Sequence, residues 1–178
     1  MPMNAYEMCP LSNFRPLYVL DGDDVKKMWH DGTSRKSDWV PIPVEYGSRR
    51  HGERTDWDID CGLGPLFFLT KRGVEILSPL IEPYGEVLPL ISGDGEFYAY
   101  NTTRVIDALD HEASDFTRFA SSGRISGWNH LAFKEDIVAD VPLFLVPEFP
   151  KGRLFLTERF VDCYVKYSLK GVKFKLVQ

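Results

Sequence analysis

The sequence predicts a mixed α+β protein with a largely antiparallel sheet, a few short helices and two similar strand–helix–strand units. Three observations predict it: short apolar runs bounded by glycine and proline recur along the chain, helical spacing is held only briefly, and one unit is written twice, at Leu66–Leu90 and again at Leu154–Val177. The length of 178 residues suits one domain, with residues 1–64 as an N-terminal strand, helix and long loop and residues 65–178 as the core.

In chain order, "RPLYVL" reads as an early strand, and Asp21 or Asp23 is placed to cap a short helix holding Val25, Met28 and Trp29. From His30 to Gly64 the text reads as loop, with "WVPIPVEY" extended and "GSRRHGER" a basic turn. A connection of that length inside a domain is usually functional or mobile. The first unit follows: "LFFL" as a buried strand, Thr70 as helix cap, then Val74, Leu77 and Ile81 at helical spacing. Pro79 lacks a backbone donor and is expected to stop this helix near Ser78, before Gly85 and the strand "EVLPL".

"SGDG" is a turn before "EFYAYN", and Asn101–Leu109 carries Val105, Ile106 and Leu109 at helical spacing. Strands are expected around Arg124–Trp128, Leu131–Phe133 and Pro142–Val146. The closing unit repeats the grammar. "RLFL" is a strand, Thr157 a cap, Phe160, Val161, Tyr164, Val165 and Leu169 an apolar helix face, and Gly171 the left-handed residue that ends the helix. "VKFKLV" alternates with Val172, Phe174 and Leu176 on one side, and Arg159 matches Arg72 of the first unit. A duplication and the shared grammar of such units both account for the echo.

The net charge of −5 is unevenly spread. Residues after Pro150 hold seven basic groups against Glu158 and Asp162, a charge of +5, which leaves −10 on the rest. Between Glu82 and Asp115 eight carboxylates face the single Arg104. That block repels nucleic acid and attracts a basic protein. The opening "MPMNAYEMCPL" has no basic region followed by an apolar one, and no apolar run approaches a membrane span, so a soluble cytoplasmic protein without membrane contact is expected. Cys9, Cys61 and Cys163 are odd in number and far apart, which suits neither a disulfide framework nor a zinc ribbon.

The search for catalytic chemistry returns little. "HEASD" begins like the zinc-protease signature, but its fifth position is Asp115 where a second imidazole is needed, so a solvated acidic helix end is expected. "GRISG" has the wrong spacing for a nucleophile elbow, and "GDGEF" lacks the third glycine and the helix of a phosphate cradle. Asp56, Asp58 and Asp60 alternate in "DWDID". As a strand they would share one edge, able either to hold a divalent ion or to discourage strand pairing. Trp39, Tyr46 and Trp57 cluster in the long loop region, where aromatic rings that are not core anchor interfaces.

With that order of elements in hand, "GEVLPL", "EFYAYNTTRVIDALDHEASDF", "HLAFKEDIVADVPLFLV" and "RLFLTERFVDCYVKYSLKGVKFKLV" resemble a family of bacterial immunity proteins found beside polymorphic toxins. The positions that carry the resemblance are Leu88 and Pro89, Tyr98 to Asn101, Asp107 to Asp110, Leu154 to Phe160 and Gly171 to Phe174, within a span of residues 66–176. The resemblance implies a cytoplasmic protein that binds and blocks a cognate toxin, with no catalytic residues and no cofactor. The acidic block suits a basic toxin, and self-association is left open. The expected contact residues are Trp39, Tyr46, Trp57, Asp58, Asp60, Asp94, Glu96, Asp107, Asp110, Glu112 and Asp115. Two other readings stand beside it: a metal-dependent hydrolase using Asp58, Asp60, His111 or Glu112, and a regulatory or structural subunit with no toxin partner.

Overall fold

A strand that the sequence pattern does not announce, β1 (Ala5–Pro10), organises the second half of the molecule. The computed structural model describes residues 4–28, 31–62, 66–149 and 153–177. After β1 come β2 (Leu17–Val19), α1 (Gly22–Lys27), β3 (Ile42–Tyr46), β4 (Ile59–Asp60), β5 (Phe67–Thr70), α2 (Lys71–Ile81), β6 (Gly85–Ile91) and β7 (Phe97–Thr102). The remainder is β8 (Asp115–Arg118), β9 (Ile125–His130), α3 (Glu135–Val138), β10 (Leu143–Phe144), β11 (Phe155–Thr157), α4 (Glu158–Lys166) and β12 (Val172–Leu176). The mixed α+β class with largely antiparallel sheets is as expected.

The two written units are one topology used twice. One sheet runs β2-β3-β6-β7-β5-β4 and the other β10-β11-β1-β12. In the first, β7 lies between β5 and β6 and is antiparallel to both. In the second, β1 lies in the same way between β11 and β12. Register agrees as well: Thr70 pairs with Phe97 as Thr157 pairs with Ala5, and Ile59 pairs with Leu69 as Leu143 pairs with Leu156. Even the bond that closes each hairpin recurs, Thr70 N–H donating to Asp58 O and Thr157 N–H to Pro142 O, both at 3.1 Å. The difference is the source of the middle strand. β7 follows its own unit, whereas β1 comes from the other end of the chain.

Strand alternation sorts the apolar side chains into three layers. Phe67, Leu69 and Tyr100 from one sheet and Leu143 and Leu156 from the other meet Leu77, Ile81 and Phe160 of the two helices in a shared central core. The opposite face of the six-stranded sheet, with Leu17, Phe68, Leu88, Phe97 and Ala99, is covered by Phe14, Met28 and Trp57. The opposite face of the four-stranded sheet, with Phe144 and Phe155, is covered by Ala108, Leu109, Leu131, Phe133 and Val138.

Several local expectations are corrected. α2 continues through Pro79 to Ile81. The proline faces solvent in the last turn, where the Glu75 carbonyl it leaves unpaired can be hydrated, while buried Leu77 and Ile81 hold the turn in place. Thr70 caps α2 by accepting from Gly73 N–H at 3.2 Å, but Thr157 does not cap α4: its hydroxyl donates to Val141 O at 2.7 Å. α4 ends at Lys166 and is closed by Ser168, φ 50°, not by Gly171. Ser168 N–H donates to Val165 O and Leu169 N–H to Tyr164 O, each at 3.0 Å, which is the Schellman pattern with a serine in the left-handed position. Gly171 is required for another reason: at φ +120° an added Cβ would sit 1.9 Å from Ile59 O, where β4 crosses it.

Val165 is 67% exposed, and the packed face of α4 is formed instead by Phe160, Cys163 and Tyr164. Residues 103–109 are not helical. Val105 and Leu109 make isolated bridges to Leu145 and Phe133, so their spacing reflects two strand contacts and not one helix face. Asp21 is the cap of α1, accepting from Asp23 N–H at 2.6 Å. Trp29 and His30 lie outside the described residues.

Candidate partner-binding surface

The long loop region folds back onto the six-stranded sheet through its aromatic rings. Trp57 stacks on Phe97 with centroids 5.4 Å apart, and Tyr46 meets both edge-on, at 6.2 Å from Trp57 and 5.6 Å from Phe97. Each polar tip finds an internal acceptor: Trp57 Nε1 donates to Arg15 O at 3.2 Å, Tyr46 Oη to Thr55 O at 3.3 Å and Trp39 Nε1 to Pro89 O at 2.8 Å. Trp57, 2% exposed, is therefore core and offers no surface, while Trp39 and Tyr46 are half-buried at the margin. The rings expected to anchor a partner anchor the loop.

Asp56, Asp58 and Asp60 diverge, because only Ile59–Asp60 is strand. Asp56 is held below the usual carboxylate range by Arg54, which grips it at 2.8 and 2.9 Å, and then by Lys170 at 3.1 Å. Buried Asp58 accepts from Arg72 Nη1 at 2.8 Å and from Lys170 N–H at 2.9 Å. Asp60 turns to the opposite side, where burial pushes its pKa up against the bonds it accepts from the N–H groups of Leu17, at 2.8 Å, and Cys61. Among the described residues, no group of three or more His, Cys, Asp or Glu is placed to hold a metal ion.

The acidic block of the sequence does not form one patch: Asp94 and Glu96 precede β7 and Asp107–Asp115 follow it, and the strand itself spans roughly 20 Å at ~3.3 Å per residue. At one end, Asp94 accepts from Tyr46 N–H at 3.2 Å, and exposed Glu96 takes bonds from Lys71 Nζ, at 3.4 Å, and the Tyr98 hydroxyl. Glu86 is spent inside the fold, accepting from Ser34, Arg35 N–H at 2.8 Å and Asn101 Nδ2 at 3.1 Å.

At the other end, residues 107–115 belong to the layer covering the four-stranded sheet. Asp110 caps a turn through the N–H groups of Ala113 and Glu112, both at 3.0 Å, which hold its carboxyl below the usual range. Asp107 lies 3.6 Å from Lys134, Asp115 accepts from Asn129 at 2.8 Å, and Glu112 is exposed. Lys134 N–H donates to Ala108 O at 2.7 Å, so α3 lies alongside and adds Glu135, Asp136 and Asp140 to the same layer. "HEASD" sits in this turn and not on a helix, with His111 Nε2 2.5 Å from Glu148 Oε1.

A feature only half read from the sequence rises beside that layer: the strand expected around Arg124–Trp128 is β9, but its partner β8 was missed. β8 and β9 pair only with each other, and the turn between them presents Phe119, 57% exposed, with exposed Arg118 and Arg124. The ribbon is fixed at its base by Trp128, which packs 5.1 Å from Phe149 and lies under the Arg153 guanidinium at 4.8 Å, and Arg153 in turn reaches Glu7 of β1 at 2.8 Å. The available signal was "SSG" between two runs of alternating character, with Gly123 at φ +66°.

Residues 91–178 match the model of the immunity protein family Imm11. The resemblance to an immunity protein family is thereby borne out, over a narrower span than residues 66–176. The Imm11 segment contains β7 to β12, and with them the acidic cover layer, the β8–β9 ribbon and the second unit except its middle strand. No curated protein matches the chain. No helix among the described residues is long and apolar enough to cross a membrane.

Proposed function

We propose that this protein is an immunity protein that binds a cognate bacterial toxin in the cytoplasm and blocks it without turning over a substrate. The observation that carries this reading is the Imm11 match, which falls on the part of the chain bearing the acidic layer and the projecting ribbon. Carboxylates of Asp107, Glu112, Asp136 and Asp140 project from one layer, an arrangement that accelerates encounter with a basic toxin. The ribbon supplies the aromatic and arginine groups that interface centres favour, in Phe119, Arg118 and Arg124. The chain acts as one domain, its two units joined through the central core.

The test is co-expression with the product of the adjacent gene, scored for growth, followed by association kinetics of the purified pair at low and high salt. The reading expects rescue of growth, and slower association as salt rises. Normal toxicity in the presence of folded protein, with no complex formed, would remove it.

A further inference from the structure

Below β2 lies a half-open pocket of about 470 Å³, within the roughly 300–1,000 Å³ of sites that take small groups. Its walls are apolar, formed by Leu17 and Val19 of β2, Val25 of α1 and Phe68 of β5, and Tyr18, half exposed, stands at the rim. One carboxylate, Asp60, is set among these walls next to the Cys61 thiol, whose ionisation burial and the Asp60 charge both oppose. No lysine, arginine or histidine among the described residues pairs with Asp60, and the groups that face it are the N–H donors of Leu17 and Cys61. A desolvated carboxylate in an apolar cleft is costly unless a cation completes it. The shape also selects the cation, since an alkyl stem can lie along Val19, Val25 and Phe68 while its charged head reaches inward.

We propose that this pocket receives a lysine side chain of the toxin, the ammonium pairing with Asp60 and the methylenes packing on the β2 and α1 walls. The proposal rests on the immunity reading and names a second contact for it, on the six-stranded sheet. A lysine seated there is a desolvated, centrally buried anchor, whereas the acidic layer supplies steering from the rim.

The full chain labelled with ¹⁵N is titrated with n-butylammonium chloride, which reproduces the lysine side chain, and separately with n-butanol. The expected result is saturable shifts of the Leu17, Asp60 and Cys61 amides, at roughly tenfold lower concentration for the ammonium than for the alcohol. Asp60→Asn should abolish that advantage, and Val19→Trp, which fills the pocket and leaves the carboxylate in place, should abolish both responses. Equal responses to ammonium and alcohol, or no saturable response at these amides, overturn the proposal.

A second arm uses the adjacent-gene product. Either variant should weaken its complex at least roughly tenfold while the protein remains folded by circular dichroism. Undiminished affinity in both variants overturns the pocket's role and leaves the immunity reading standing. Failure of the unaltered protein to bind removes both.

Discussion

Arg72 and Asp58 form the joint between the two units: Arg72 Nη1 lies 2.8 Å from Asp58 Oδ2, and Nη2 of the same guanidinium donates at 3.0 Å to the Tyr167 carbonyl at the end of α4. The matching Arg159 of the second unit donates instead to the carbonyl of Asp140, just ahead of β10. Each helix thus carries an arginine in its first turn that fastens the segment leading into its own hairpin, and the first of the two also clasps the other unit.

Because the Asp58 side chain is 8% exposed, its removal leaves the Lys170 N–H and a guanidinium without their acceptor. Asp58→Ala is expected to lower stability by about 2–3 kcal/mol. The Arg72 side chain is half exposed, so Arg72→Ala is expected to cost only about 1 kcal/mol. Urea denaturation measures both. A larger loss from the arginine than from the aspartate would contradict this account of the joint.

Gly171 tolerates no side chain, since its φ is +120° and an added Cβ would meet Ile59 O, whereas nothing lies within 4 Å of one added to Gly22 at the start of α1. Gly171→Ala should lose about 3 kcal/mol or more, and Gly22→Ala should be neutral or gain up to about 1 kcal/mol. Thermal unfolding of the two variants should place their Tm values on opposite sides of the parent, or the second level with it.

Burial raises the Asp60 pKa in the folded state above its unfolded value. In the pH window between the two values the folded state binds more protons than the unfolded one, so stability falls as pH rises through that window. Relative to Asp60→Asn, the parent protein should lose stability on going from below the ordinary carboxylate range to above the raised pKa. A flat difference between the two denaturation curves across that range would refute the shift.

Neutralising the cover layer with Asp107→Asn, Glu112→Gln and Asp136→Asn together should slow toxin association roughly tenfold at low salt, with little change at high salt. These side chains are exposed, so the free energy of unfolding should move by no more than about 0.5 kcal/mol. Stopped-flow mixing at several salt concentrations gives the rates.

The Imm11 segment expressed alone, residues 91–178, lacks the strand between β11 and β12. It should show neither a cooperative unfolding transition nor dispersed amide resonances, and a synthetic peptide spanning residues 4–11 should restore order to it. Cooperative unfolding of the bare segment would mean that β1 is dispensable.

Much of the fold was legible because its signals are local. Thr70 followed by Val74, Leu77 and Ile81 declares a capped amphipathic helix without reference to anything distant. β1 was not legible: "AYEMCP" holds a glutamate and ends in proline, and its strand character comes from lying between β11 and β12. Ser168 was hidden for a related reason, since the bonds to Val165 and Tyr164 set its φ and serine carries no left-handed preference of its own. Of the candidate contacts, the acidity of Asp107–Asp115 could be read from sequence. That Asp58 and Asp60 turn inward could not, because their partners lie in segments far away along the chain.

The middle strand of the second sheet also sets a clock on biosynthesis. At a translation rate of 5–20 residues per second, β1 emerges from the ribosome roughly 7–30 s before β11 and β12 exist to flank it. Throughout that interval the nascent chain carries a strand with both edges bare, while the first unit, complete by Thr102, can already close. The second half of the molecule is thus wound shut only when the tail of the chain arrives to grip a piece made long before.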